Sequence, residues 1–420
     1  MRIVVVGAGL MGVCSAWYLA RRGHSVTVID RTDGVARLTS FANAGMLTPS
    51  MADPWNAPGI FGKLLGWIGR EDAPFLLRAA AIPSLMHWGL RFLRNARPER
   101  FRVNMERNLR LASYSLNALR ALAAELNIEY DALDAGTLKV FRDDAAFADA
   151  AARNRVLAEL GLDVRMINGA EIVALEPALA DVRAQLVGGV YCAADGSGDA
   201  RRFTEALAQH CVAAGVQFRH GVEVRGFERS GARVNAVITA QGRENADAIV
   251  IAAGSWSAPL LARLGVPLWV RPVKGYSVTL DATVWPVFPR RPVIDDALHA
   301  ATTPLGRRLR VAGTAEFAGD DLTLQPARVA NLFELTTALY PSCATLIDRA
   351  RAEPWCGLRP MSADGVPFIG RSALENVWVN AGQGHLGWTL SAGSGRLLAD
   401  LIDGRTPEID AAGYSVTRRD

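Results

Sequence analysis

The chain has 420 residues, half of them hydrophobic and 21% charged, with a formal net charge of +4. That length predicts two or three domains with sizeable cores, and so small a charge, with acids mixed among the bases outside one segment, makes nucleic acid an unneeded partner. Five scattered cysteines without a CxxC pair and six histidines without HExxH spacing argue against a disulfide framework and against a metal site.

Met1 to Val6 is nearly all aliphatic and predicts a strand buried on both faces, a structural role that a signal peptide would not have. Gly7-Ala8-Gly9-Leu10-Met11-Gly12 follows at once. Leu10, Val13, Ala16, Trp17 and Ala20 then recur at helical spacing up to Gly23, and Val26 to Ile29 forms a second apolar strand ending in Asp30. This is one βαβ unit. Gly7 allows the tight turn, Gly9 lets backbone approach a pyrophosphate, and Gly12 permits close packing of helix on strand. The helix N-terminus faces the diphosphate. Asp30 accepts from ribose hydroxyls, which argues against a 2′-phosphate despite Arg31. The unit predicts a bound dinucleotide; the alternative is a glycine turn with only a structural role.

Ser40 to Gly45 is a small polar loop whose plain reading is a connector. Residues 51 to 102 are rich in large apolar side chains, among them Trp55, Phe61, Leu64, Leu65, Trp67, Ile68, Phe75, Met86, Trp88 and Phe92, broken by Pro54, Pro58, Pro74, Pro83 and Pro98. Short helices are expected there. Arg91, Arg94, Arg97, Arg100 and Arg102 lie against a single acid, Glu99. The segment reads either as a lid packed on the protein or as a face lying on an anionic membrane. No apolar run reaches the roughly 18 residues needed to cross a bilayer, and a cytoplasmic location is expected.

A helix is predicted over 103 to 126, a strand over 137 to 141 and a helix over 144 to 160. Another strand follows near 188 to 191 and a helix over 201 to 214. Short strands are expected at 216–218, 222–227 and 234–238. Ala248 to Ala252 is a buried strand opening at Gly254 into a helix, and proline-separated strands over 268 to 313 suggest a second, antiparallel sheet. A helix over 326 to 339 interrupts it. Trp355 to Gly370 precedes strand Val377 to Ala381, then Gly382-Gln383-Gly384-His385-Leu386-Gly387 and a helix from about 388 to 402. The chain ends before another strand and acid could complete a second dinucleotide unit. A helix N-terminus aimed at the pyrimidine edge of a flavin, where the reduced ring carries negative charge, fits this arrangement better than a nicotinamide does.

Together the Gly7-to-Asp30 unit, the Asn43-Ala44-Gly45 loop ending, Pro272 to Ser277, Gly357-Leu358-Arg359-Pro360 with Asp364-Gly365 and Pro367, and Gly382 to Thr389 resemble the D-amino-acid oxidase family of FAD enzymes, over nearly the whole length. Within it they are similar to bacterial D-amino-acid dehydrogenases. The resemblance implies an α/β fold: a Rossmann-like, glutathione-reductase-type FAD domain from 1–50, 98–130, 175–258 and 352–410, and a largely antiparallel α+β substrate domain from 131–174 and 259–351. Residues 51–97 would be the lid or membrane-facing insert.

It also implies non-covalent FAD held by Gly7, Gly9, Leu10, Met11, Gly12, Asp30 and Arg31, bordered by Ser40, Asn43, Ala44, Gly45 and Gly254. Gly384, His385, Leu386, Gly387, Trp388 and Thr389 would lie at the pyrimidine edge. Arg359 would clamp the substrate carboxylate, aided by Tyr276; the alternatives are an Arg359–Asp364 ion pair and a sheet-packing tyrosine. The implied reaction is oxidative deamination of a D-amino acid to a 2-oxo acid and ammonia by hydride transfer from Cα to flavin N5. Electrons would pass to a quinone or respiratory acceptor, with peripheral contact at the cytoplasmic face of the inner membrane. The rival readings are a D-proline or hydroxy-D-proline dehydrogenase and an FAD subunit of a hetero-oligomer. Side-chain preference and oligomeric state stay open.

Overall fold

The computed structural model describes residues 1–62 and 75–418; Leu64, Leu65, Trp67, Ile68 and Pro74 of the apolar segment lie outside them. Strand Arg2–Val6 lies inside a six-stranded sheet ordered Phe368–Arg371, Val377–Ala381, Ala248–Ile251, Arg2–Val6, Ser25–Ile29, Gln217–Arg219. All neighbours are parallel except the edge strand Phe368–Arg371.

Alternation explains why the first strand is aliphatic throughout. Ile3 and Val5 pack with helices Leu10–Ala20, Pro98–Leu126, Ala200–Ala213 and Gly387–Ile402, while Val4 and Val6 join Val234, Val237, Ile249 and Leu261 on the other face. The opening helix lies hard against its strand: a Cβ at Gly12 would fall 1.7 Å from the Gly7 carbonyl oxygen. Only Ala248–Ile251 separates the strands from which the two glycine-rich turns emerge. Both turns leave carboxyl ends of the same sheet, about 10 Å apart at the usual strand spacing.

The second sheet has nine strands. Its path runs Glu353–Ser362, Val270–Asp281, Arg308–Phe317, Ala300–Leu305, Val293–Asp295, Thr137–Phe141, Gly188–Cys192, Val164–Ile167, with Phe75–Leu77 also paired to Arg308–Phe317. The pairings are antiparallel except Val293–Asp295 with Thr137–Phe141 and Phe75–Leu77 with Arg308–Phe317. Gly188–Cys192 and Glu353–Ser362, which the sequence partition groups with the FAD-binding segments, are strands of this second sheet.

The long helix starts at Pro98 instead of near 103, because a proline at the first helical position gives up only an N–H that has no partner in the helix. In the apolar insert the described elements are short, as the prolines require: a 3₁₀ turn at Pro49–Met51, strand Phe75–Leu77, a second 3₁₀ turn at Ala79–Ala81 and helix Ile82–Arg94.

Candidate active site

Both glycine turns open into one cavity of about 850 Å³. At its sheet end Gly7 turns with φ of +115°, a conformation that disfavours side chains. The Leu10 N–H at the start of the first helix donates to Ser40 Oγ at 3.1 Å, which leaves the Ser40 hydroxyl proton free to donate to an anion. Asp30 fixes the same turn: Oδ2 accepts from the Ala8 N–H (2.7 Å) and Oδ1 from the Thr32 N–H and hydroxyl (2.7 Å each). Arg31 stacks on Trp256, its Cζ 4.0 Å from the ring centre.

The 40–45 loop crosses to the second sheet. Asn43 Oδ1 accepts from the Gly45 N–H (3.0 Å), and Ser277 donates to the Ala42 carbonyl (2.6 Å). Gly7, Gly9, Leu10, Met11, Asp30, Arg31, Ser40, Asn43, Ala44, Gly45, Gly254, Tyr276, Arg359, Gly384, His385, Gly387 and Trp388 all line the cavity. Gly12, Leu386 and Thr389 stand behind the wall: Leu386 is buried in the core, and Thr389 Oγ1 accepts from the Thr48 N–H at 2.9 Å.

At the other end Arg359 lies across the sheet. Val273 and Gly275 sit opposite Arg359 and Gly357 on the paired strands, so these positions share the cavity face. The Arg359 guanidinium lies flat over Gly275; a Cβ there would come within 1.9 Å of Nη1. The preceding residue is anchored, since the Leu358 carbonyl accepts from Thr39 (2.8 Å) and Ser255 (3.2 Å). Burial pushes the Arg359 pKa down to about 10, so the group stays charged at neutral pH. Nη1 is a buried donor without a partner. The Arg359–Asp364 ion pair does not form, because Asp364 is held on both oxygens by Arg418 at 2.8 and 2.9 Å.

Trp55 faces this guanidinium, with Arg359 Cζ 5.6 Å from the ring centre. Trp55 also stacks on His385 (5.3 Å) and meets the edge of Phe75 (4.9 Å). His385 Nε2 lies 3.1 Å from the Met51 carbonyl, which fixes the proton on that nitrogen. Burial, reinforced by Arg359 and opposed by that hydrogen bond, pushes the His385 pKa down to about 4. Tyr276 touches the cavity wall, yet its ring is buried with Val278 and Leu280 in the core beneath helix Pro326–Leu339. Its hydroxyl donates to Glu316 Oε2 at 2.6 Å, and Glu316 also accepts from Arg78 Nε at 2.7 Å.

A family model described as FAD dependent oxidoreductase (DAO) matches residues 2–401. The chain belongs to that family. The D-amino acid dehydrogenase of Paramagnetospirillum magneticum is 45% identical to this oxidoreductase, covering 100% of the chain and 99% of the relative. The D-amino acid dehydrogenase of Dechloromonas aromatica is 44% identical over 97% of the chain and 98% of the relative. Glycine oxidase from Geobacillus kaustophilus superposes with a TM-score of 0.79 at 25% identity, covering 100% of the chain and 99% of the solved one.

The oxidoreductase's own residues fit FAD. A glycine turn and a helix N-terminus stand at one end for the diphosphate, with Asp30 beside them for ribose. A second helix begins at Gly387 on the same cavity, suited to the anionic edge of a flavin. Trp55, Phe75, Trp256 and Trp355 also line the space. Local sequence gives little sign of them, since only the strand pairing of the insert and the return of distant segments bring them to the wall.

Proposed function

We propose that this FAD-dependent oxidoreductase oxidatively deaminates D-amino acids to 2-oxo acids and ammonia. The observation that carries the reading is Arg359: a charged, half-buried arginine with a buried, unpartnered Nη1, on the wall of the cavity that both glycine turns open into. Such a group calls for a small carboxylate. The choice of D-amino acids is supported by relatives of that name at 41–45% identity over nearly the full chain.

In this reading Arg359 binds the substrate carboxylate through two parallel hydrogen bonds, and the strand pairing around Gly275 and Gly357 fixes its direction. Trp55 covers the guanidinium and keeps water from competing for it. His385, neutral above pH about 4, adds no second cation that would pull the carboxylate out of line. FAD, held non-covalently by the turns at Gly7–Gly12 and Gly384–Gly387, supplies the two-electron acceptor for the Cα–H of a substrate whose amine is neutral. Alignment is the protein's main contribution, because the departing hydride needs an amine lone pair more than a strong base. Water then hydrolyses the released imino acid. The acceptor that reoxidises the enzyme is a quinone or other respiratory carrier, and the chain attaches peripherally to the cytoplasmic face of the inner membrane.

Anaerobic mixing with single amino acids tests the reading. D-Alanine, D-phenylalanine and other D-amino acids should bleach the flavin band near ~450 nm, while their L-enantiomers should not. A flavin that stays oxidised with every D-amino acid, or that bleaches equally with both series, would overturn it. Acid precipitation should release the flavin into solution.

A further inference from the structure

We infer that Arg310 is a positioning residue for the flavin: from beneath the 40–45 loop its guanidinium holds the Asn43–Ala44 peptide with the N–H turned into the cavity, and its charge makes the bound cofactor easier to reduce. The inference rests on the reading that sets FAD against this loop and needs nothing of the substrate assignment.

Arg310 belongs to strand Arg308–Phe317. It stands opposite Thr279, as Ala312 stands opposite Ser277. Ala312 and Ser277 line the cavity, and alternation puts all four on that face of the sheet. The loop lies on this face with its carbonyls towards the strands. Ser277 donates to the Ala42 carbonyl at 2.6 Å, Arg310 Nη1 to the Asn43 carbonyl at 3.1 Å, and the Gly198 N–H to the Gly45 carbonyl at 2.8 Å. Across a trans peptide the N–H points away from the C=O, so the N–H groups of Asn43 and Ala44 point off the sheet, and both residues line the cavity. Among the described residues neither N–H has an acceptor. Two open donors on a cavity wall call for an acceptor from outside. A flavin ring offers carbonyl oxygens and ring nitrogens, and it gains negative charge on reduction.

The arginine itself is firmly placed. It is buried, with Nε donating to Thr279 Oγ1 at 2.9 Å. The carboxylate that reaches it among the described residues, Asp199, stands 3.9 Å from Nη2. Asp199 is already engaged: Oδ2 accepts from Arg308 at 2.9 Å, and Oδ1 accepts from the Arg201 and Arg202 N–H groups at the start of helix Ala200–Ala213. Burial lowers the Arg310 pKa to about 10, which leaves the group charged at neutral pH. A charged donor on the Asn43 carbonyl polarises that peptide and strengthens the Ala44 N–H as a donor on its far side. In the proposed reading the substrate carboxylate neutralises Arg359, whereas no ligand reaches Arg310, so its field on the ring persists through turnover.

The test is the midpoint potential of the full-length FAD-loaded enzyme, titrated against a reference dye without any amino acid, with FAD affinity of the stripped protein and thermal midpoint measured alongside. Arg310→Gln keeps a donor for the Asn43 carbonyl but no charge. It should make flavin reduction roughly tenfold less favourable, about 30 mV lower for a two-electron couple. Arg310→Lys keeps the charge and should retain most of the wild-type potential, even if its thermal midpoint falls as far as that of the glutamine variant. Should Arg310→Gln fail to fold, Thr279→Val carries the test: it releases Nε, lets the guanidinium swing from the loop, and should make reduction roughly threefold less favourable. The proposal is overturned if thermal midpoint or FAD affinity falls while the potential stays at the wild-type value, which is the pattern of an arginine with a structural role alone. It is also overturned if the lysine variant drops in potential as far as the glutamine variant, since charge would then not be the agent. A lowered potential in an enzyme that oxidises no D-amino acid would sink the substrate reading and leave the role of Arg310 standing.

Discussion

A partly buried cation without a carboxylate is costly to keep, and Arg359 keeps its charge all the same, since desolvation lowers its pKa only to about 10. The nearest acid in sequence that could have neutralised it, Asp364, is taken up by Arg418. In the proposed reading the guanidinium is free to take an acid from outside. Arg359→Lys retains a charge but loses the planar two-bond grip, so kcat/KM should fall by roughly ten- to a hundredfold, mainly through KM, with the flavin spectrum unchanged; steady-state kinetics with a soluble dye checks this. His385 makes a second prediction. Its pKa lies near 4 in the fold against 6.5 ordinarily, so the unfolded chain takes up a proton first as pH falls. The stability it contributes is complete above about pH 6.5 and is lost progressively towards pH 4. Urea midpoints measured across that range should decline less steeply for His385→Gln than for wild type. Arg359 is singled out in the sequence only through the family resemblance of Gly357-Leu358-Arg359-Pro360, and what puts it on the cavity wall is the pairing of its strand. Tyr276 shows where such reading stops: one step along a strand reverses the side chain, and its hydroxyl is committed to Glu316.

At the scale of elements, the βαβ unit at the N-terminus and the strand–turn–helix at the C-terminus were legible because periodicity and glycine punctuation are local signals. Strand Phe75–Leu77 was not. It has three residues, too few for alternation to show, and it exists because Ala315–Phe317 offers a partner edge. The same limit hid Trp55, whose place opposite Arg359 depends on the insert folding back over the second sheet. Gly275 shows how an element sets the chemistry of a site. Its backbone is ordinary strand, so Gly275→Ala introduces no torsional strain; the new methyl would instead occupy the space 1.9 Å from Arg359 Nη1. The strands are fixed by pairing on both sides, so the guanidinium must move. A displacement of that order should cost about ten- to a hundredfold in kcat/KM, with FAD content retained and the thermal midpoint shifted by only a few degrees. Kinetics matching wild type would show that the arginine need not lie flat on this glycine.

Across the whole molecule, the cavity wall draws on residues from Val6 to Trp388, nearly the length of the chain. In the proposed reading FAD bridges segments that are remote in sequence: the first strand and turn, the 40–45 loop, Gly254, and the turn before the last long helix, all of which reach the cavity wall. Anything that binds only the folded state stabilises it by mass action, by about 2.7 kcal/mol when the free ligand stands a hundredfold above its dissociation constant. Here that stabilisation should not be confined to one lobe, since both glycine turns leave the same six-stranded sheet and helices Leu10–Ala20 and Gly387–Ile402 share one core. Stripping the flavin should thus lower the thermal midpoint by several degrees and raise hydrogen exchange at both ends of the chain together, in Gly7–Leu10 and in Gly384–Trp388, and adding FAD back should restore both. The two strands at the far edge of the second sheet, Val164–Ile167 and Gly188–Cys192, contribute no residue to the cavity wall and should change little. Protection lost at the N-terminal turn alone would mean that the closing turn does not hold the cofactor, and that the two ends of the chain meet for packing only.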